Sequence, residues 1–329
     1  MRITHDALLK IAKETVEKRF AHDPRVTAVF LVGSLRPDHA SVESASDVDL
    51  LVLHNGELPR DREIVKLSNE YHLDIAYEDV SHYAHPRELR GEGWRGWAMW
   101  DPRLLFQRGR FFEYTQSVVR AQFEEPVNII TRSRFFEEKA RSAWSEMQFD
   151  FESIRPLKVL EAFFNAANSL VSLNGAPIPE RKLMAEFPAR AQALDQSELI
   201  HTAFECVSKN VSVENIRNLL PGWEKAFSTA SQSPSDLRLH PVRLSYYRAS
   251  IESQLASDTP RSALWTMLHS WALAVDNNNL PEDQIQAWQS VCIETGWDAV
   301  QLHERLQALD EFLDGMEEIL EQVSADNGL

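Results

Sequence analysis

The chain has 329 residues, 43% of them apolar and 26% charged, a balance that rules out wholesale disorder and, at ~150 residues per domain, points to two domains. Thirty-four Lys and Arg face fifty Asp and Glu, and the net charge of -16 argues against nucleic acid and anionic membranes as primary partners. Only two cysteines occur, Cys206 and Cys292, the first six residues lack a signal-peptide pattern, and the apolar runs fall far short of the ~20 residues of a membrane helix; a cytoplasmic protein without a disulfide framework is expected.

The acidity is unevenly placed. Residues 251–329 carry 2 basic and 15 acidic side chains, whereas residues 151–250 carry 11 and 10. The charge therefore says little about the first half of the chain.

Taken in order, Asp6 to Phe20 has helical spacing, with Leu8, Leu9, Ile11, Ala12, Val16 and Phe20 on one face and Asp6 as the expected N-cap. Val26–Val32 is a β-branched and aromatic run that reads as a buried strand and ends at Gly33-Ser34. A polar stretch follows. Val48–Leu53 reads as a second strand, residues 60–70 as a short helix, and His72–Tyr77 as a third strand. Alternation along this last strand puts Leu73, Ile75 and Tyr77 on the face opposite Asp74. Residues 84–110 read as irregular and aromatic-rich, with Trp94, Trp97 and Trp100 set among glycines as supports for a loop. From Phe111 onward the pattern is mostly helical.

The chemistry-bearing pattern lies early: strand, Gly33-Ser34, a polar insert, Asp47-Val48-Asp49 leading into a strand, then Asp74 on a third strand. Strand periodicity sets Asp47 and Asp49 on one face with Val48 opposite. Two neighbouring carboxylates repel, and a divalent cation resolves the conflict; one or two carboxylates completed by substrate phosphates and water is how Mg²⁺ is usually held. A Gly-Ser turn at a strand end offers close backbone approach, N–H groups and a hydroxyl to phosphate oxygens. A third carboxylate on the next strand suits a second ion or a proton from an attacking hydroxyl.

These residues resemble the nucleotidyltransferase superfamily related to DNA polymerase beta, whose signature is Gly-Ser, an insert, Asp-x-Asp and a further Asp one strand later. The stretch Ser46-Asp47-Val48-Asp49-Leu50-Leu51-Val52 is similar to its metal-binding strand. The helical remainder resembles the second domain of bacterial aminoglycoside and lincosamide nucleotidyltransferases. The resemblance implies an α+β protein: a nucleotidyltransferase domain over residues 1–130, with a small mixed sheet and flanking helices, then a helical substrate-binding or interaction domain over 131–329. It also implies transfer of a nucleoside monophosphate from ATP or another nucleoside triphosphate to a hydroxyl of a small molecule, an antibiotic being one candidate, with release of pyrophosphate and two Mg²⁺ ions as cofactors. Gly33 and Ser34 would contact the triphosphate, Asp47 and Asp49 would bind metal, and Asp74 would be the third carboxylate; Glu78, Glu146 and Glu152 are further candidates for the base. The competing functions are a protein adenylyltransferase and a non-catalytic, antitoxin-like binding module.

Elsewhere the readings are plainer. His82 and His85 read as surface or turn histidines, Arg155 and Lys158 as solvated helix residues, and the cysteines as apolar fillers. Asn165 and Asn168 sit within an apolar helix, and either a core or a cleft role fits them. Leu302, Leu306, Leu309, Leu313, Met316, Leu320 and Val323 form a heptad seam. That seam serves packing within the helical domain or a homodimer contact through the C-terminal helices.

Overall fold

A computed structural model of the chain describes residues 4–33, 46–68, 71–149, 154–277 and 280–329. Among these it forms two compact units, Met1–Asn128 and Ile129–Leu329. The architecture is α+β: a five-stranded mixed sheet in the first unit and a helical second unit.

Helix α1 (His5–Arg19) opens the first unit; Thr4, rather than Asp6, caps it, its side chain accepting the Ala7 N–H at 3.3 Å. The strands are β1 (Val26–Val32), β2 (Ser46–His54), β3 (Arg62–Lys66), β4 (Tyr71–Asp79) and β5 (Arg103–Gln107), in the spatial order β3-β4-β2-β1-β5. Strands β2 and β4 run parallel, and the other neighbours are antiparallel. A strand therefore replaces the helix expected over residues 60–70. The region expected to be irregular contains a one-and-a-half-turn helix α2 (Arg95–Trp100) and the edge strand β5.

The two sheet faces have different partners. Val29, Leu31, Val48, Leu50, Val52, Leu73, Ile75 and Tyr77 pack against Leu8, Leu9, Ala12 and Val16 of α1. On the other face Ala28, Phe30, Leu51 and Leu53 meet Tyr83, Leu89, Met99 of α2, and Phe112 and Val119 of α3 (Phe111–Arg120). Phe123 joins them, edge-on to Trp97 at 5.0 Å and stacked on Trp100 at 4.7 Å. Trp97 and Trp100 thus brace the segment that carries them.

The helical unit is built from α4 (Pro126–Phe149), which begins just before the boundary, α5 (Pro156–Val171), α6 (Leu183–Gln192), α7 (Glu198–Val207), α8 (Val213–Ala230), α9 (Arg243–Leu255), α10 (Ser262–Asn277), α11 (Glu282–Thr295) and α12 (Leu302–Asp326). Asn168 belongs to its core: it is fully buried, and its amide accepts the Ile178 N–H at 2.6 Å and donates to the Ile178 carbonyl at 3.2 Å, fixing the turn after α5. Asn165 donates to the Glu161 carbonyl one turn back on its own helix. The heptad seam lies inside this unit. Leu309, Leu313, Met316 and Leu320 are buried, and α12 packs on α5 and α7. Packing within the unit thus accounts for the buried part of the seam. No described helix is long and apolar enough to cross a membrane.

Candidate functional site

The polar end of one sheet face gathers the titratable residues. Leu51 and Leu53 of β2 lie on the face covered by α2 and α3, so the two-residue period carries Asp49 and Asp47 onto that same face nearer the start of the strand. Strand β4 follows suit. Ala76 packs against the same cluster, which places Asp74 and His72 on that face as well. The parallel register sets Asp47 beside His72 and Asp49 beside Asp74. Strand β3 adds Arg62, opposite Ala76, and Lys66, opposite His72.

Burial is graded across the group. Asp74 and His72 are each 1% exposed, while Asp47 and Asp49 are half-buried. A buried carboxylate needs compensation. Arg62 supplies part of it: its guanidinium Nε donates to Asp74 Oδ1 at 2.5 Å, from a side chain that stays 42% exposed.

Asp47, His72 and Asp74 each direct one potential ligand atom into a group whose members all lie within 4.8 Å of one another. Two donors that share an ion at ~2.1 Å are at most about 4.2 Å apart, so the side chains stand close to ligating distance. The donor set of two carboxylates and one imidazole fits a divalent cation. Sequence reasoning misses His72. It lies near the start of a strand, where a single histidine carries no motif, and the parallel register with Asp47 is what makes it part of the group.

Asp49 is placed differently. Gly33, directly after β1, has φ +75°, and a Cβ added there would collide with Asp49 Oδ2. The glycine is required twice, for the left-handed backbone and for the close approach of the carboxylate. Asp49 is thus pressed against the turn that ends β1, next to the Asp47–His72–Asp74 group. Ser34 lies outside the described residues, as does Glu152.

Glu78 and Glu146, the two further candidate bases within the described residues, are engaged elsewhere. Glu78 continues the same face of β4 but accepts from Arg95 Nε at 2.6 Å and from the buried Tyr83 hydroxyl at 3.2 Å. Burial, followed by the Glu78 charge, drives the Tyr83 phenol well above its ordinary pKa. Glu146, in the helical unit, pairs with Lys158 at 3.1 Å. His82, half exposed, faces Glu78 at 3.7 Å. Burial raises the Cys206 thiol far above its ordinary value and pushes Cys292 up to about 12, so neither offers a thiolate.

No protein-family model and no curated protein matches the chain. Among solved structures, a nucleotidyltransferase-like protein from Exiguobacterium sibiricum 255-15 aligns with 95% of this chain and 91% of its own, at 16% identity and a TM-score of 0.29. The chemistry of the site rests on its own residues.

Proposed function

We propose that this chain is a metal-dependent nucleotidyltransferase. It moves a nucleoside monophosphate from a nucleoside triphosphate, ATP first among them, to a hydroxyl of a small molecule, with aminoglycosides and lincosamides the acceptors to test first. The observation that carries the reading is the convergence of Asp47 and Asp74 with His72 within 4.8 Å, beside an Asp49 held against the Gly33 turn.

In this reading Asp47 and Asp49 hold the cation, and Asp74 is the third carboxylate. Bound there, a divalent ion offsets charge on the triphosphate and the leaving pyrophosphate and lowers the pKa of the acceptor hydroxyl. The chain's own groups do the rest. Gly33 leaves room for the Asp49 carboxylate, and Gly33 and Ser34 are assigned to the triphosphate. Arg62 fixes the Asp74 carboxylate through one oxygen. The acceptor oxygen attacks the α-phosphorus, the bond to the bridging oxygen of the β-phosphate breaks, and pyrophosphate leaves with that electron pair. Asp74 receives the hydroxyl proton. The helical unit is assigned to the acceptor.

The test is incubation of the full chain with Mg²⁺ or Mn²⁺ and labelled nucleoside triphosphates, together with panels of aminoglycosides and lincosamides or with cell lysate. Pyrophosphate release with a labelled small molecule is expected. A labelled protein band instead would reject the small-molecule acceptor, and no release with any nucleotide would overturn the reading.

A further inference from the structure

The residues that converge on one another are Asp47, His72 and Asp74, with an imidazole in the set. We propose that His72 is a direct metal ligand, and that its nitrogen makes the site select a cation with affinity for imidazole, of the Mn²⁺, Co²⁺ or Zn²⁺ class, over Mg²⁺. The inference deepens the nucleotidyltransferase reading and rests on it for the use to which the cation is put.

Three observations carry it. First, β2 and β4 are parallel and in register over their whole lengths, and Asp47 pairs with His72; the sheet hydrogen bonds themselves hold the imidazole beside the carboxylate. Second, His72 is 1% exposed on the face that also holds Asp74, which puts it in the floor of the group rather than at its rim. Third, the donor chemistry is mixed. Mg²⁺ takes oxygen ligands, demands near-ideal octahedral geometry and gives up water reluctantly. Imidazole suits the later first-row divalent ions, and carboxylates serve Mn²⁺ and Zn²⁺ as well. Arg62 strengthens the distinction: with one Asp74 oxygen already accepting from it, the carboxylate has less to give a hard cation, and the nitrogen makes up the coordination.

The experiment uses the full chain without nucleotide, titrated separately with Mn²⁺ and Mg²⁺, and electron spin-echo spectroscopy of the Mn²⁺ complex, which detects a directly bound nitrogen. A ¹⁴N coupling is expected in the wild-type protein. In His72→Asn the coupling is lost, and the preference for Mn²⁺ over Mg²⁺ falls by roughly tenfold or more. Absence of the coupling in the wild type overturns the inference, as does an unchanged preference in a folded His72→Asn. Should that variant fail to fold, Asp47→Asn replaces it, since Asp47 is only half-buried; a Mn²⁺ affinity equal to that of the wild type there rejects the site. The two readings fail separately. Nucleotidyl transfer without nitrogen coordination sinks the role of His72 and leaves the enzyme reading intact. Nitrogen coordination with no transfer from any nucleotide does the reverse.

Discussion

Individual residues in the site answer to different physical demands. Asp47 is half-buried and adds charge to a neighbourhood that already holds Asp49 and Asp74. Asp47→Asn removes repulsion and almost no packing, so stability should change by no more than about 0.5 kcal/mol. In the proposed reaction, transfer should fall by roughly 10²- to 10³-fold, because metal charge stabilisation would be worth several kcal/mol. Urea unfolding and pyrophosphate release on the same preparation check both halves; a fully active Asp47→Asn removes Asp47 from the mechanism. Gly33 makes the opposite demand, since its backbone has φ +75° and the Asp49 carboxylate occupies the place of its Cβ. Gly33→Ala should cost about 1–2 kcal/mol from the left-handed backbone alone and should also drive Asp49 aside. A urea midpoint equal to that of the wild type would show that the turn relaxes at no cost.

At the scale of elements, the central strands were legible because β1, β2 and β4 are buried and written in β-branched and aliphatic residues. Alternation along β4 also put Asp74 on the face opposite Leu73 and Ile75, as found. The two edge strands were not legible. In β3 the sequence Arg62-Glu63-Ile64-Val65-Lys66 has one apolar pair between charges, which fits a helical period as readily as a strand; pairing with β4 decides it. In β5 every residue is half-buried, so no alternation marks it, and it becomes a strand by adding to the edge of β1. This bears on the site, since β3 brings in Arg62 and the register of β4 brings in His72. A single sequence shows neither, because each depends on pairing between strands rather than on spacing along one. The heptad seam illustrates the same limit, since a buried α12 needs the apolar stripe that a dimer would need. Arg62 gives the prediction for this scale. Arg62→Ala removes the charge-assisted bond between Arg62 and the buried Asp74 and should cost about 1–3 kcal/mol, the partial exposure of Arg62 keeping it below a fully buried pair. A divalent cation bound at the proposed site would then replace the lost counter-charge. Mn²⁺ should therefore raise the melting temperature of Arg62→Ala more than that of the wild type. Equal shifts would show that Arg62 does not serve as the counter-ion.

For the whole molecule, two acidic clusters of the helical unit bear on the response to pH. Within the helical unit Arg141 answers three acids of α12, lying 3.3 Å from Asp310, 2.9 Å from Asp314 and 2.7 Å from Glu317. One guanidinium does not neutralise three carboxylates. Asp310 is raised by burial and then by the Asp314 charge, and Glu137 by burial and then by Glu317. A second cluster in the same unit runs the other way. Glu180 lies 3.0 Å from His269 and near Arg238, and Asp236 is held by Arg238 at 2.8 Å. For both acids burial is the largest influence and opposes ionisation, yet these partners outweigh it and the pKa is lowered. The signs follow from linkage. A carboxyl raised in the folded state binds more protons there than when unfolded, so its contribution is greatest in acid and is lost as pH rises through the raised value. A carboxyl lowered in the folded state contributes above its ordinary value, and that contribution is lost as pH falls through the lowered one. The two clusters together should give a stability maximum near the ordinary carboxyl range, at about pH 4–4.5, falling on both sides. Urea midpoints measured from pH 2.5 to pH 8 test this. Glu180→Gln should flatten the acid limb and Asp310→Asn the neutral limb, while a midpoint that climbs steadily from pH 5 to pH 8 would mean that repulsion along α12 does not govern the stability of the helical unit.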